Sequence, residues 1–136
     1  MAECAEADVR ATLARVVAAL GRLRVVKVGL LESSLVDDMA AALEAEGLPV
    51  EREVRLAPRC RVDLAVPMPD GRLVGIEAKK NRPSATKAAA QVERYVRTGR
   101  LCAAVLVAER APDLPAAIDG TPVAAVSLSA AFGISL

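Results

Sequence analysis

Two short segments carry the residue types from which a hydrolytic site could be built. Arg59-Cys-Arg-Val-Asp63-Leu-Ala-Val66 and Arg72-Leu-Val-Gly-Ile-Glu77-Ala-Lys79 are separated by Pro67-Met-Pro-Asp-Gly71. Both read as strands, with Asp70-Gly71 marking a hairpin turn between them. Strand alternation sends Val62, Leu64 and Val66 to one face and Arg61, Asp63 and Ala65 to the other. In the second strand Val74, Ile76 and Ala78 oppose Gly75, Glu77 and Lys79. The hairpin therefore gathers Asp63, Glu77 and Lys79. Two carboxylates beside an ammonium suit a hard divalent cation, Mg²⁺ or Mn²⁺, with the lysine orienting or activating an attacking water. The same Glu-x-Lys is also how an ordinary solvated strand end with cross-strand charge pairing looks, so the surrounding elements must decide.

Composition removes several rival chemistries. The chain of 136 residues contains no histidine, which excludes Ser/His/Asp and Cys/His catalysis and histidine-based metal sites. Its three cysteines, Cys4, Cys60 and Cys102, are odd in number and lack C-x-x-C spacing. They read as reduced thiols of a cytoplasmic protein, with Cys102 in the core. The acidic start, Met1 to Asp8, has no basic n-region and gives no signal peptide. No uncharged apolar run is long enough to span a membrane, so no membrane partner is expected. A formal net charge of +1 argues neither for nor against a nucleic-acid partner, but the distribution does more. From Lys79 to Arg100 there are seven basic residues, Lys79, Lys80, Arg82, Lys87, Arg94, Arg97 and Arg100, against one acid, Glu93. This suits a phosphodiester substrate, or else a solvated helix face.

The elements that must hold these residues follow from periodicity. Val9, Leu13, Val16, Val17 and Leu20 predict an amphipathic helix from Asp8 to Leu20 that Gly21 ends. Arg22 to Leu31 is open between a helix extension and a strand. A second helix starts at Glu32 or Ser34 and runs to Glu46, stopped by Gly47 and Pro49. Glu32, Val36, Met39 and Leu43 share its apolar stripe, whereas Asp37, Asp38 and Glu44 fall on the solvated side. Glu32 is thus the one acid of that helix aimed at the core, or a first-turn acid complementing the helix dipole.

Val50 to Leu56 alternates as a strand, with Val50, Arg52, Val54 and Leu56 on one side. Ser84 is a candidate N-cap for a helix reaching Thr98 and closing on Gly99. Gln91 and Tyr95 stack one turn apart on it, with Ala88 a turn earlier. Leu101 to Ala108 is an unbroken apolar run, the pattern of a strand buried on both faces. Ala111 to Pro122 reads as a connection with room for one helical turn, and Val123 to Leu128 as a last strand.

Helix with a core-facing Glu, strand, strand with Asp, hairpin, strand with Glu-x-Lys, helix with Gln-x-x-x-Tyr, buried strand: this order resembles the PD-(D/E)XK nuclease superfamily. The likeness covers residues 32–108. It implies an α/β fold of restriction-endonuclease-like type, a central mixed β-sheet flanked by helices on an αβββαβ core. The whole chain, 1–136, would be one such domain, with a helical extension over 1–31 and a C-terminal strand region over 109–136. By the same resemblance Asp63, Glu77, the Ala78 carbonyl and Glu32 would hold Mg²⁺ or Mn²⁺, and Lys79 would be the catalytic lysine. Gln91-Val-Glu-Arg-Tyr95 resembles the motif of RecB-like nucleases that lies beside the active site. It implies substrate binding by Gln91 and Tyr95, to which charge adds Lys80, Arg82, Lys87 and Arg94. One departure is that Val62, not proline, precedes Asp63.

The expected activity is metal-dependent hydrolysis of DNA. A catalytically silent DNA-binding or assembly subunit that keeps the fold is the alternative, and a small protein-interaction domain is a third reading. A chain this small does not surround a duplex alone, so a homodimer or larger complex is expected.

Overall fold

The computed structural model describes residues 5–23, 32–79 and 82–128, the side chains of Glu32 and Ser33 excepted. Among these residues the order is α1 (Glu6–Gly21), α2 (Glu32–Ala45), β1 (Glu51–Ala57), β2 (Cys60–Pro67), β3 (Leu73–Lys79), α3 (Ala85–Val96), β4 (Leu101–Ala108), β5 (Ala117–Ile118) and β6 (Thr121–Ser127). The strands form one mixed sheet in the order β1-β2-β3-β4-β6-β5. The first three run antiparallel through tight turns. β4 then pairs parallel to β3, and β6 parallel to β4. Parallel neighbours need a crossover, and α3 supplies the one between β3 and β4. The fold is α/β, with a mixed open sheet flanked by helices.

Two apolar cores hold the layers together. On one face α1 and α2 set Val16, Leu20, Met39 and Leu43 against Leu64, Val74, Ile76 and Val105. On the other, α3 sets Val92, Tyr95 and Val96 against Ala65, Leu73, Leu101 and Ala104. All eight residues of β4 are buried, as expected of a strand covered on both faces, and Cys102 lies in the core at 3% exposure. The α2 stripe is as read for Met39 and Leu43, with Asp37, Asp38 and Glu44 exposed. Each fully buried leucine contributes about 1.5–3 kcal/mol relative to exposure, so this stripe, more than the exposed Arg52–Asp37 pair at 2.6 Å, docks α2.

The helix ends are set locally. Gly47, at φ 79°, ends α2 as its amide donates to the Glu44 carbonyl and that of Leu48 to the Leu43 carbonyl. This is the paired arrangement a left-handed residue after a helix permits. Ser84 caps α3, its Oγ accepting from the Lys87 amide.

Two expectations are corrected. The connection after β4 contains no helical turn; Ala117–Ile118 pairs instead with β6 as β5. More consequential is a change of phase in β1 and β2. Leu64 and Val66 face α1 and α2, but Val62 and Cys60 belong to the opposite core with α3. Val50, just ahead of β1, packs with the first core, and Val54 and Leu56 on β1 with the second. Strict alternation would have kept each set together. Glu53, which lies opposite Asp63 in the β1–β2 register, has φ 48°, a conformation outside the β region. The two strands switch faces together at Glu53 and Asp63, and their far ends curl toward α3. The segment from 24 to 31, left open by the sequence, lies outside the described residues.

Candidate active site

Asp63 stands where the β2–β3 ladder stops. Pairing runs from Pro67↔Leu73 to Leu64↔Ile76. One step further, side chains replace backbone partners. The Ala78 amide donates to Asp63 Oδ2 at 2.8 Å, and the Asp63 amide donates to Glu77 Oε1 at 3.2 Å. Each carboxylate thus satisfies an amide on the other's strand, which answers the requirement that part-buried backbone groups be paired. The exchange also locks Asp63 and Glu77 side by side. The sequence placed these two carboxylates together on one face, and the structure does so.

Glu77 is the only buried charged residue among the described ones, at 8% exposure. Its environment combines opposing effects. Burial pushes its carboxyl up first, and the neighbouring Asp63 charge second. Lys79, the Asp63 amide and the Tyr95 hydroxyl pull it down. Burial and the like charge win, and the group titrates at about 7 instead of 4.5. Lys79 Nζ is 3.5 Å from Glu77 Oε2, on the same strand face two residues on, as period-2 spacing demands.

From α3, Gln91 Nε2 donates to Glu77 Oε2 at 3.1 Å and to Tyr95 Oη at 2.8 Å. A carboxylate only accepts, so the amide nitrogen must face it. The Tyr95 hydroxyl accepts from Gln91 and gives its own proton toward Glu77. Burial first, and then the Glu77 charge, raises the pKa of that hydroxyl, so it remains a donor. Gln91 and Tyr95 therefore turn inward onto Glu77, and their first role is to hold that carboxylate.

The chain matches no family model and no curated protein. Its chemistry has to be read from the site itself.

An open cleft of about 430 Å³ lies beside Glu77, Gln91 and Tyr95. Four arginines line it: Arg55, Arg59, Arg61 and Arg94. Of the described residues in the basic run from Lys79 to Arg100, the cleft takes only Arg94. Arg82 and Lys87 are exposed elsewhere on the α3 side, and Arg97 pairs with Glu93 on the same helix. Lys80 and the Glu32 side chain lie outside the described residues. The other three arginines come from the β1–β2 hairpin. Sequence reading placed Arg61 on the Asp63 face but gave none of the three a role. Their spacing, Arg55, Arg59 and Arg61 just ahead of Asp63, was the available signal, and only the curl of the hairpin toward α3 makes it a cluster.

As a cation site, the described side-chain donors are the carboxylates of Asp63 and Glu77, to which the resemblance adds the Ala78 carbonyl. Among the described residues no group of three His, Cys, Asp or Glu side chains could hold a metal ion. The donor set is all oxygen, which fits Mg²⁺ or Mn²⁺ completed by water and substrate rather than an all-protein cage. Burial and then the Asp63 charge raise Glu77, and a divalent cation held there would offset both by favouring the ionised carboxylates.

Proposed function

We propose that the chain is a Mg²⁺- or Mn²⁺-dependent deoxyribonuclease of the PD-(D/E)XK type. The single observation that carries this reading is the junction where Asp63 and Glu77, freed from the ladder, share each other's strand amides with Lys79 at 3.5 Å. The αβββαβ order and the antiparallel-then-parallel sheet support the restriction-endonuclease-like fold. The arginine-lined cleft supports a polyanionic substrate.

Asp63, Glu77 and the Ala78 carbonyl would hold the cation, with Glu32 the candidate for a further carboxylate at the start of α2. When bound, a divalent cation lowers the pKa of coordinated water and neutralises charge on a phosphoryl oxygen. The remaining work falls to the chain's own groups. Lys79 supplies a positive charge to the phosphorane-like transition state, or orients the water. Gln91 and Tyr95 fix the Glu77 carboxylate, so that it does not have to reorganise during turnover. No helix among the described residues is long and apolar enough to cross a membrane.

Purified protein incubated with single-stranded, duplex, flapped and branched DNA tests the reading. Cleavage is expected with Mg²⁺ or Mn²⁺, absent in EDTA, and lost in Glu77→Ala. DNA binding with no metal-dependent cleavage would leave a silent DNA-binding or assembly subunit in its place.

A further inference from the structure

The cleft beside Glu77 is built at a cost that the carboxylate pair does not explain. Arg55 and Arg61 are direct cross-strand partners on β1 and β2, and both line the cleft. Like charges directly opposite each other weaken a strand pair. Arg59, between the two strands, sits at φ 63°, a conformation uncommon for a residue with a side chain. Arg94 reaches the same space from α3. Among the described residues, Arg61 has one ion pair, to the exposed Glu53 at 3.5 Å. Arg55, Arg59 and Arg94 have none. Among the described residues, the only acid lining the cleft is the buried Glu77.

All four cations are arginines, the side chain whose planar fork pairs two N–H groups with phosphate or carboxylate oxygens. A protein of formal net charge +1 thus concentrates four guanidinium groups in one concavity next to its paired carboxylates. We infer that this cleft is an oxyanion subsite that seats a second phosphate of the DNA strand whose scissile phosphodiester lies at Asp63 and Glu77. The identity of that strand rests on the nuclease reading. The anion-binding chemistry does not. The phosphate is either an internal diester flanking the cut or a terminal monoester, and both present the oxygens that the arginines fit.

The test is fluorescence anisotropy of labelled single-stranded oligonucleotides on the full chain with Ca²⁺ present. Asp63→Asn is placed in every protein to stop turnover. Arg55→Ala/Arg61→Ala should weaken binding roughly tenfold and flatten the slope of log affinity against log salt by roughly 1.4, two lost contacts at about 0.7 each. Arg94→Ala should weaken binding from the opposite wall, whereas Arg10→Ala, on the exposed face of α1, should not. Removing the facing arginines should leave the melting temperature of the unliganded protein unchanged or raised, which separates lost contacts from lost structure. Oligonucleotides with and without a 5′- or 3′-phosphate identify the source, since only a terminal monoester makes the arms differ. Parent-like affinity and salt slope in both arginine variants, or no binding by the Asp63→Asn background, would overturn the subsite. Wild-type protein that binds through these arginines yet never cleaves would sink the nuclease reading and leave the subsite standing.

Discussion

Glu77→Gln should make the metal-free protein more stable at pH 8 and no more stable at pH 5. In the native state the Glu77 carboxyl titrates at about 7, against 4.5 for the free group, chiefly because it is buried and next because Asp63 adjoins it. A raised folded pKa means that the native state keeps a proton the unfolded chain releases. The associated stability is complete below pH 4.5 and is lost as pH rises through 7. Taking the shift from 4.5 to about 7 at face value, the loss has a ceiling of about 3 kcal/mol. Glutamine is neutral throughout, so it escapes this loss. It carries one acceptor oxygen where the carboxylate offers two to the Asp63 amide and Gln91, and one poorer hydrogen bond costs about 1 kcal/mol. The net gain at pH 8 is therefore about 1–2 kcal/mol, or about 3–8 °C in melting temperature for a domain of this size. The absence of histidine keeps the interval from pH 5 to 8 nearly clear of other titrations. Urea and thermal unfolding of both proteins in EDTA at pH 5, 6.5 and 8 give the difference directly. A difference that does not change with pH, or one that favours the parent more strongly at pH 8, would refute the rise that burial, and then Asp63, impose on the Glu77 carboxyl.

Calorimetric Mn²⁺ titration should show weakened affinity for Asp63→Ala and Glu77→Ala but near-parent affinity for Lys79→Ala, which should nevertheless lose cleavage, because the ammonium meets transition-state charge without ligating. Gln91→Ala removes one donor to Glu77 and should reduce cleavage only partly; complete loss would give Gln91 more than a holding role. Leu43→Ala, at a fully buried position of α2, should cost about 2–5 kcal/mol in urea unfolding, and a cost below 1 kcal/mol would contradict the docking of α2 on the sheet. Ser84→Ala should cost about 1 kcal/mol through loss of the α3 cap, read in the same assay.

Much of the frame was legible because it obeys local rules. The apolar stripe of α2 with its Gly47 stop, the Ser84 cap of α3 and the wholly apolar β4 each follow from a single periodicity or a single capping residue. The pairing of Gln91 with Tyr95 was also visible as an i, i+4 step. What they face was not, since that depends on how α3 crosses between β3 and β4 and brings Gln91 over Glu77. The arginine cleft was least legible. Counting charge along the chain finds the run after Lys79, but residues adjacent in sequence on α3 point in different directions around the helix. The arginines that converge come instead from two strands whose partnership is a tertiary fact.

The failure at Asp63 has a physical cause that bears on the site. Alternation predicts side-chain direction only while the backbone stays in the β region and the ladder continues. At Glu53 and Asp63 neither holds: one residue takes positive φ, and the ladder to β3 ends one residue beyond. If β2 had kept its phase and register, the Ala78 amide would have been available to a β2 carbonyl, and Asp63 Oδ2 would have had no backbone donor at that point. The break is therefore what lets the carboxylate enter the strand interface and sit against Glu77. Beyond the break, Cys60 and Val62 pack in the α3 core, and Arg55, Arg59 and Arg61 line the same cleft as Arg94. Departures from local rules are expected where function is built, and here the departure falls at the exchange of amides between Asp63 and Glu77, next to the arginine-lined cleft.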